Sequence, residues 1–219
     1  MGILYRFVHF GYSSSVGNNH GKLIIDISRA LSEQTAPYPG DEPFSRVLTT
    51  SLANGGASNV TSVCGSSHLG THVDLPFHVS ADTEPPPMEL FCGPAVVIEV
   101  DDWADLKDID LPPGLRVLFK TANSGKPDDV FDLEFHCISA GAVEWLVAQK
   151  AVLVGVDASS VDPVGVLELP NHHALNLAGI AILENLDLSE ASPGEYELIA
   201  LPLKIPGADA TWVRAALRK

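Results

Sequence analysis

The segment His68-Leu-Gly-Thr-His72-Val-Asp74-Leu-Pro-Phe-His78 places three of the chain's eight histidines and one aspartate within eleven residues. Read as extended chain, its side chains alternate between two faces. His68, Gly70, His72, Asp74, Pro76 and His78 share one face; Leu69, Thr71, Val73, Leu75, Phe77 and Val79 share the other. The second face is almost wholly apolar and suits a core. The first carries imidazoles and a carboxylate and suits the wall of a site. A straight strand would hold His68 and His78 about 33 Å apart, too far to share an ion. The segment must therefore bend, and Gly70 and Pro76 stand where bends are needed. His72 and Asp74, two apart on one face, can share a metal without bending. The residues alone predict His68, His72 and Asp74 on one metal, with His78 nearby but outside the ligand set. Three protein ligands open to water make a catalytic site, whereas a structural zinc is closed by four.

The sequence around this segment reads as β-rich. Val-, Ile- and Leu-rich runs at residues 23–27, 46–51, 59–64, 95–100, 116–120, 151–156 and 195–203 predict strands. Three prolines and a glycine make residues 35–43 a rigid loop. Ser139 is an expected N-cap for a helix over 140–149, and Asn171 for a short helix through Leu177, which Gly179 would end. Residues 85–90 can start a third, short helix. Strands outnumber helices, and the order is not the regular βαβα alternation of a doubly wound sheet. The expected fold is a mixed, β-rich α/β domain with a curled or barrel-like sheet and a few outer helices. It spans residues 23–219, preceded by an N-terminal extension, 1–22, that could add an edge strand.

Composition narrows the partners. With 219 residues, 46% of them hydrophobic, the chain fits one large domain with a sizeable core. A formal net charge of −15 opposes binding to nucleic acid or to an anionic membrane. No stretch approaches the ~20 apolar residues of a membrane span. The N-terminus lacks the apolar run of a signal peptide, which favours the cytoplasm. Cys64, Cys92 and Cys137 are odd in number and lack CxxC spacing, so they are expected as buried small hydrophobes in a reducing compartment. The acidic run Asp101, Asp102, Asp105, Asp108 and Asp110 lacks EF-hand spacing and reads as a solvated loop. Asp157 and Asp162 are expected to cap a turn, with the orientation of a metal ligand as the alternative.

Further metal ligands are expected in the stretch from Asn171 to Glu184. There the pair His172-His173 leads the short helix, and the apolar run Ile180-Ala-Ile-Leu183 ends at Glu184. A carboxylate ending so apolar a strand is costly to bury unless a cation or hydrogen bonds compensate it.

The signature His68-x-Gly-Thr-His72-x-Asp74-x-Pro76-x-His78 resembles that of the cyclase family of metal-dependent hydrolases, which includes bacterial kynurenine formamidases and isatin hydrolases. The similarity continues through Asp26-Ile-Ser28, Tyr38-Pro-Gly-Asp41, Val154-Gly-Val-Asp157 and Ser160-Val-Asp162-Pro163. It ends at Val213-Arg214-Ala215. This resemblance implies a swivelling β/β/α fold and two divalent metal ions, zinc first and manganese as the alternative. It implies His68 and His72 on one ion, His172 on the other, and Asp74 and Glu184 on both. It favours His172 over His173 by spacing, and makes His78 the proton donor and acceptor. The implied reaction is hydrolysis of an amide-type C–N bond in a small aromatic substrate, foremost an aryl formamide such as N-formylkynurenine, giving kynurenine and formate. The implied assembly is a homodimer or homotetramer. Opening of a cyclic amide, as in isatin hydrolysis, and a polyketide-type cyclisation are the alternatives using the same metals. A non-catalytic metal-dependent binding or assembly protein is the alternative of another class, and His78 argues against it. One departure stands out: formamidases have a tryptophan where this chain has Tyr38, the expected substrate-binding residue. Tyrosine can still stack on an aromatic ring, but it is smaller and carries a hydroxyl.

Overall fold

β-Branched and aliphatic runs favour strands because their side chains pack well on a pleated surface. A computed structural model describes residues 24–219; the extension expected at 1–22 lies outside the described residues. Eleven strands form: β1 (Ile24–Asp26), β2 (Ser45–Thr50), β3 (Val60–Cys64), β4 (His72–Asp74), β5 (Cys92–Glu99), β6 (Arg116–Lys120), β7 (Leu153–Val156), β8 (Ala181–Glu184), β9 (Gly194–Ile199), β10 (Ala210–Trp212) and β11 (Ala216–Arg218). Two α-helices, α1 (Ala140–Ala148) and α2 (Pro170–Leu177), accompany them. β10 and β11 were not expected. At three residues each they are too short for alternation to show in sequence.

Nine strands make one mixed sheet in the order β1-β11-β9-β5-β6-β7-β8-β4-β10. β5 to β8 run parallel at its centre, and the flanking pairs are antiparallel. Parallel strands are buried on both faces, so their side chains alternate between two cores. Val96, Ile98, Val117, Phe119, Val154, Val156 and Ile182 join α1 and α2 in one core. Ala95, Val97, Leu118, Leu153, Ala181 and Leu183 join Val73, Leu75 and Leu198 in the other. The sheet curls toward closure. Beyond β1, Ser28 bridges Leu186 and the Asp187 amide donates to the Ile27 carbonyl at 3.0 Å, drawing one edge against the chain leaving β8. The fold is thus the expected mixed, strand-rich α/β type, with a half-barrel sheet and few helices. β2 and β3 form a separate hairpin.

Ser139 caps α1 as expected, accepting from the Ala142 amide. Asn171 does not cap α2. Pro170 takes the first turn, where its missing N–H costs nothing, and the Asp162 carboxylate accepts from the amides of Asn171 and His172 at 3.0 and 3.1 Å. Asp162 therefore caps the following helix rather than its own turn. The cysteines are not buried either: Cys64 is exposed on the hairpin, and Cys92 and Cys137 are half-buried. The acidic run is solvated as expected, on a 3₁₀ helix, Trp103–Asp108, that Asp102 caps. No helix among the described residues is long and apolar enough to cross a membrane.

Gly155, in the middle of β7, leaves room for side chains from its neighbours. A Cβ there would stand 2.2 Å from Leu118 Cδ2 and 2.9 Å from Leu186 Cδ1. Gly155→Ala should therefore destabilise the fold by ~1–3 kcal/mol through overpacking, read as a lower midpoint in urea unfolding.

Candidate metal centre

The motif bends at the two residues singled out for it. Gly70 takes a left-handed φ of +64°, and Pro76 opens a 3₁₀ turn, Pro76–His78. Only β4 between them is regular strand. Val73 and Leu75 join the core as the alternation requires, whereas Leu69 lines the cleft beside His68 and the 3₁₀ turn rotates Phe77 outward to 44% exposure.

β4 lies between β8 and β10 and presents His72 and Asp74 on one face. Its register with β8 sets His72 directly opposite Glu184. The His72 Nε2 stands 3.3 Å from Asp74 Oδ1 and 3.4 Å from Glu184 Oε2. His68, in the loop before β4, brings Nδ1 to 3.3 Å from Asp74 Oδ1 and 3.2 Å from His72 Nε2. From the first turn of α2, His172 Nε2 reaches Asp74 Oδ2 at 3.2 Å and Glu184 Oε1 at 3.5 Å. Each carboxylate thus turns one oxygen to the His72 side and the other to His172. His173 is exposed.

Three imidazoles are held from behind. His172 Nδ1 pairs with Asp162 Oδ2 at 2.7 Å, His68 Nε2 with Asp209 Oδ2 at 3.1 Å, and His72 Nδ1 with the Gly70 carbonyl at 2.9 Å. Such partners fix the tautomer and aim the opposite nitrogen inward. Sequence reasoning allowed this role for Asp162 and missed Asp209. Nothing in the Gly207-Ala-Asp209 turn marks it, because it reaches His68 only through the pairing of β10 with β4.

Both oxygens of Asp74 are buried without a hydrogen-bond partner among the described residues. A buried carboxylate in that state is expensive unless a cation compensates it. The histidines report the same demand. Burial lowers the basicity of His172, but Asp162, Asp74 and Glu184 outweigh it and push the ring up to about 12. Burial acts likewise on His72, and Asp74 and Glu184 push it up to about 10. Burial would raise Asp74, yet the facing imidazoles hold it well below the usual carboxylate range. Nitrogen and carboxylate oxygen, converging on buried unpaired oxygens, are the donor set of a divalent transition-metal site. One nitrogen of His72 with oxygens of Asp74 and Glu184, and one nitrogen of His68 with Asp74 and His78, form two groups whose ligand atoms lie within 4.8 Å of one another.

His78 lies beside these candidate ligands. Its ring centroid is 4.4 Å from that of His68 and 5.3 Å from that of His172. Burial lowers its basicity, and it makes no ion pair among the described residues.

A cleft of about 350 Å³ opens beside the centre, lined by His68, His78, His172 and Glu184 on its floor. Tyr38 and Phe131 form part of its wall, their rings edge to face at 5.2 Å, and Phe135 stands behind them. The size and apolar lining suit a small molecule.

A family model described as "Putative cyclase" matches residues 25–163. The kynurenine formamidase of Salinibacter ruber (strain DSM 13855 / M31) is 42% identical over 205 residues, covering 89% of this chain and 97% of that protein. A solved structure described as a potential metal-dependent hydrolase with cyclase activity superposes with a TM-score of 0.78 at 29% identity, covering 90% of this chain and 99% of that one. Isatin hydrolase A from Ralstonia solanacearum shares the fold, with a TM-score of 0.72 at 23% identity over 90% of this chain and 92% of its own.

A metal ligand must present a bare nitrogen, whereas in the metal-free protein His72 and His172 keep their protons up to about 10 and about 12. Metal uptake at neutral pH should therefore release protons, and affinity should rise with pH. Titration calorimetry in buffers of different ionisation enthalpy measures this directly. Asp74→Asn should abolish tight metal binding, whereas Asp162→Asn should weaken it roughly 10–100-fold.

Proposed function

This chain belongs to the cyclase family, and from that membership and its own site we propose that it hydrolyses the amide C–N bond of an aryl formamide, foremost N-formylkynurenine. The enzyme is a hydrolase. The observation that carries the reading is the buried Asp74 carboxylate, whose oxygens lack a hydrogen-bond partner among the described residues and are flanked by His68 and His72 on one side and His172 on the other. That arrangement supports two divalent ions, with zinc the first choice and manganese the second. His68 and His72 would serve one ion, His172 the other, and Asp74 and Glu184 both. Bound there, such ions supply Lewis acidity and make a water molecule acidic enough to ionise near neutrality.

The chain's own residues do the rest. Tyr38, with Phe131 at its edge, offers the aryl ring a stacking surface, so that the formyl group is directed to the floor of the cleft. His78 faces the same floor. Its lowered basicity leaves it largely neutral at pH 7, ready to accept the proton of the attacking water. As the water oxygen bonds to the formyl carbon and the C–N bond breaks, His78 returns that proton to the leaving nitrogen. The products are formate and the free aryl amine. Asp209, Gly70 and Asp162 keep the other three imidazoles fixed, so only His78 is free to cycle its proton. A homo-oligomeric assembly belongs to the same reading, as the family resemblance implies.

The reading is tested by metal analysis followed by turnover on N-formylkynurenine, on a simple aryl formamide and on isatin. Formamide hydrolysis by metal-loaded protein is expected. Loaded protein that opens isatin and leaves both formamides intact would overturn the substrate assignment. His78→Ala should reduce turnover by ~10²–10⁴ while bound metal stays nearly constant. Loss of metal in parallel would make His78 a ligand.

A further inference from the structure

Arg29 and Lys126 are the arginine and lysine that line the cleft among the described residues, and they are held differently. Arg29 is spent on the fold: its side chain is 10% exposed, it pairs with Asp128, and it donates to the carbonyls of Asn123 and Lys126. Lys126 is offered to the cleft. Its Nζ stands 2.7 Å from Asp132 Oδ2 and 3.2 Å from Asn123 Oδ1, and the side chains of the Lys126–Asp132 pair are 40% and 38% exposed. An ammonium has three donors, and these contacts use two of them. Asp132 Oδ1 accepts from the Glu134 amide at 2.9 Å, which leaves lone pairs on both carboxylate oxygens. The pair thus keeps a donor and acceptors for a ligand.

The pair is also held in place. Asn123 is buried; its Nδ2 donates to the His136 carbonyl at 2.9 Å and its Oδ1 accepts from the His136 amide at 3.0 Å. That fixes the oxygen that steers Lys126. Asp132 follows Phe131 directly, so the ion pair sits beside the ring that stands edge to face with Tyr38. An ion pair so exposed adds little to stability, and its place on the cleft wall suits recognition instead. Charge chooses the ligand. Three bonds from its aryl ring, N-formylkynurenine has a carbon bearing both an ammonium and a carboxylate. A chain with a net charge of −15 repels a purely anionic tail. Opposite charges side by side on the wall match a zwitterion, each arm meeting its opposite.

We propose that Lys126 and Asp132 form a subsite for the zwitterionic amino-acid tail of the substrate, Lys126 donating to its carboxylate and Asp132 accepting from its ammonium. This rests on the aryl-formamide reading above and adds to it the groups that tell an amino-acid substrate from a simple aryl formamide. The ring lies against Tyr38 and Phe131, the formyl group meets the floor, and the tail is held at the rim. Fixing the substrate at both ends presents its C–N bond in one orientation.

The test is the ratio of kcat/KM for N-formylkynurenine to that for the ortho-acetyl aryl formamide, which keeps the ring and ketone and lacks the tail. The metal-loaded wild type should favour the tailed substrate by ~10–100-fold. Lys126→Met and Asp132→Asn should each remove most of that preference. A wild-type ratio near one, or variants that keep the wild-type ratio, would overturn the proposal. Two altered substrates probe the same contacts in the unmodified protein. Methylating the carboxylate removes the arm to Lys126, and hydrogen in place of the ammonium removes the arm to Asp132. Each change should cost roughly 10-fold in kcat/KM. Analogues that react as fast as N-formylkynurenine would overturn the proposal as well. If the loaded protein hydrolyses neither formamide, the hydrolytic reading falls, and calorimetry with kynurenine and the matching tail-less aryl amine decides the subsite. Tighter binding of kynurenine, lost in Lys126→Met, would uphold it; equal binding or none would overturn it.

Discussion

The carboxylate of Asp74 sets the terms for the structure around it. It is buried in the strand pair β4–β8, a place where an unpaired charge costs several kcal/mol unless cations surround it. Glu184 adds a second buried carboxylate from the facing strand, and their mutual repulsion deepens the need for positive charge. Three imidazoles answer from three different elements, each turned by a polar partner behind it. The shifted basicity of His72 and His172 and the orphaned oxygens of Asp74 are two expressions of one imbalance. Divalent metal relieves it more fully than protons do, because one ion can satisfy several oxygens and nitrogens together.

Rigidity is distributed to match. His72, Asp74 and Glu184 stand on strands whose other face, through Val73 and Leu183, is part of the core, so their positions inherit the precision of the sheet. His68, His78 and His172 come from a loop, a 3₁₀ turn and a helix start, where the backbone can aim a ring but needs support. The cleft walls are held by two polar hubs, Asp157 and Arg29. Asp157 accepts from the Thr121 and Ser124 amides and hydroxyls. Arg29 pairs with Asp128 and donates to the carbonyls of Asn123 and Lys126. These contacts hold the chain on the N-terminal side of Phe131, and Arg29, Lys126 and Asp128 line the cleft beside the aromatic rings. The candidate metal ligands and the Tyr38–Phe131 wall are thus held by different parts of the chain.

Much of this was legible in eleven residues. Parity described the motif from His72 to Leu75, and the need to bend fell on Gly70 and Pro76 as expected, because side-chain alternation and glycine and proline sterics are local properties. The same reasoning failed at Phe77, where a turn replaced the strand, and at Asn171, where a carboxylate nine residues earlier took over the capping. It also failed for the cysteines, since intrinsic preference for burial yields to where topology leaves an element.

Strand composition, charge and the His68–His78 motif were determined by the sequence alone: they follow from near-neighbour sterics, hydrophobicity and ligand chemistry. Tertiary structure decided which distant groups meet. The pairing of His72 with Glu184 is a matter of strand register, and the support of His68 by Asp209 depends on β10, a strand of three residues with no periodicity to announce it. It also decided that β2 and β3 stand apart from the sheet; their Val- and Leu-bearing sequence promised strands and left open whether a core would receive them. Contacts between residues far apart in sequence arise from global packing, which no local pattern encodes.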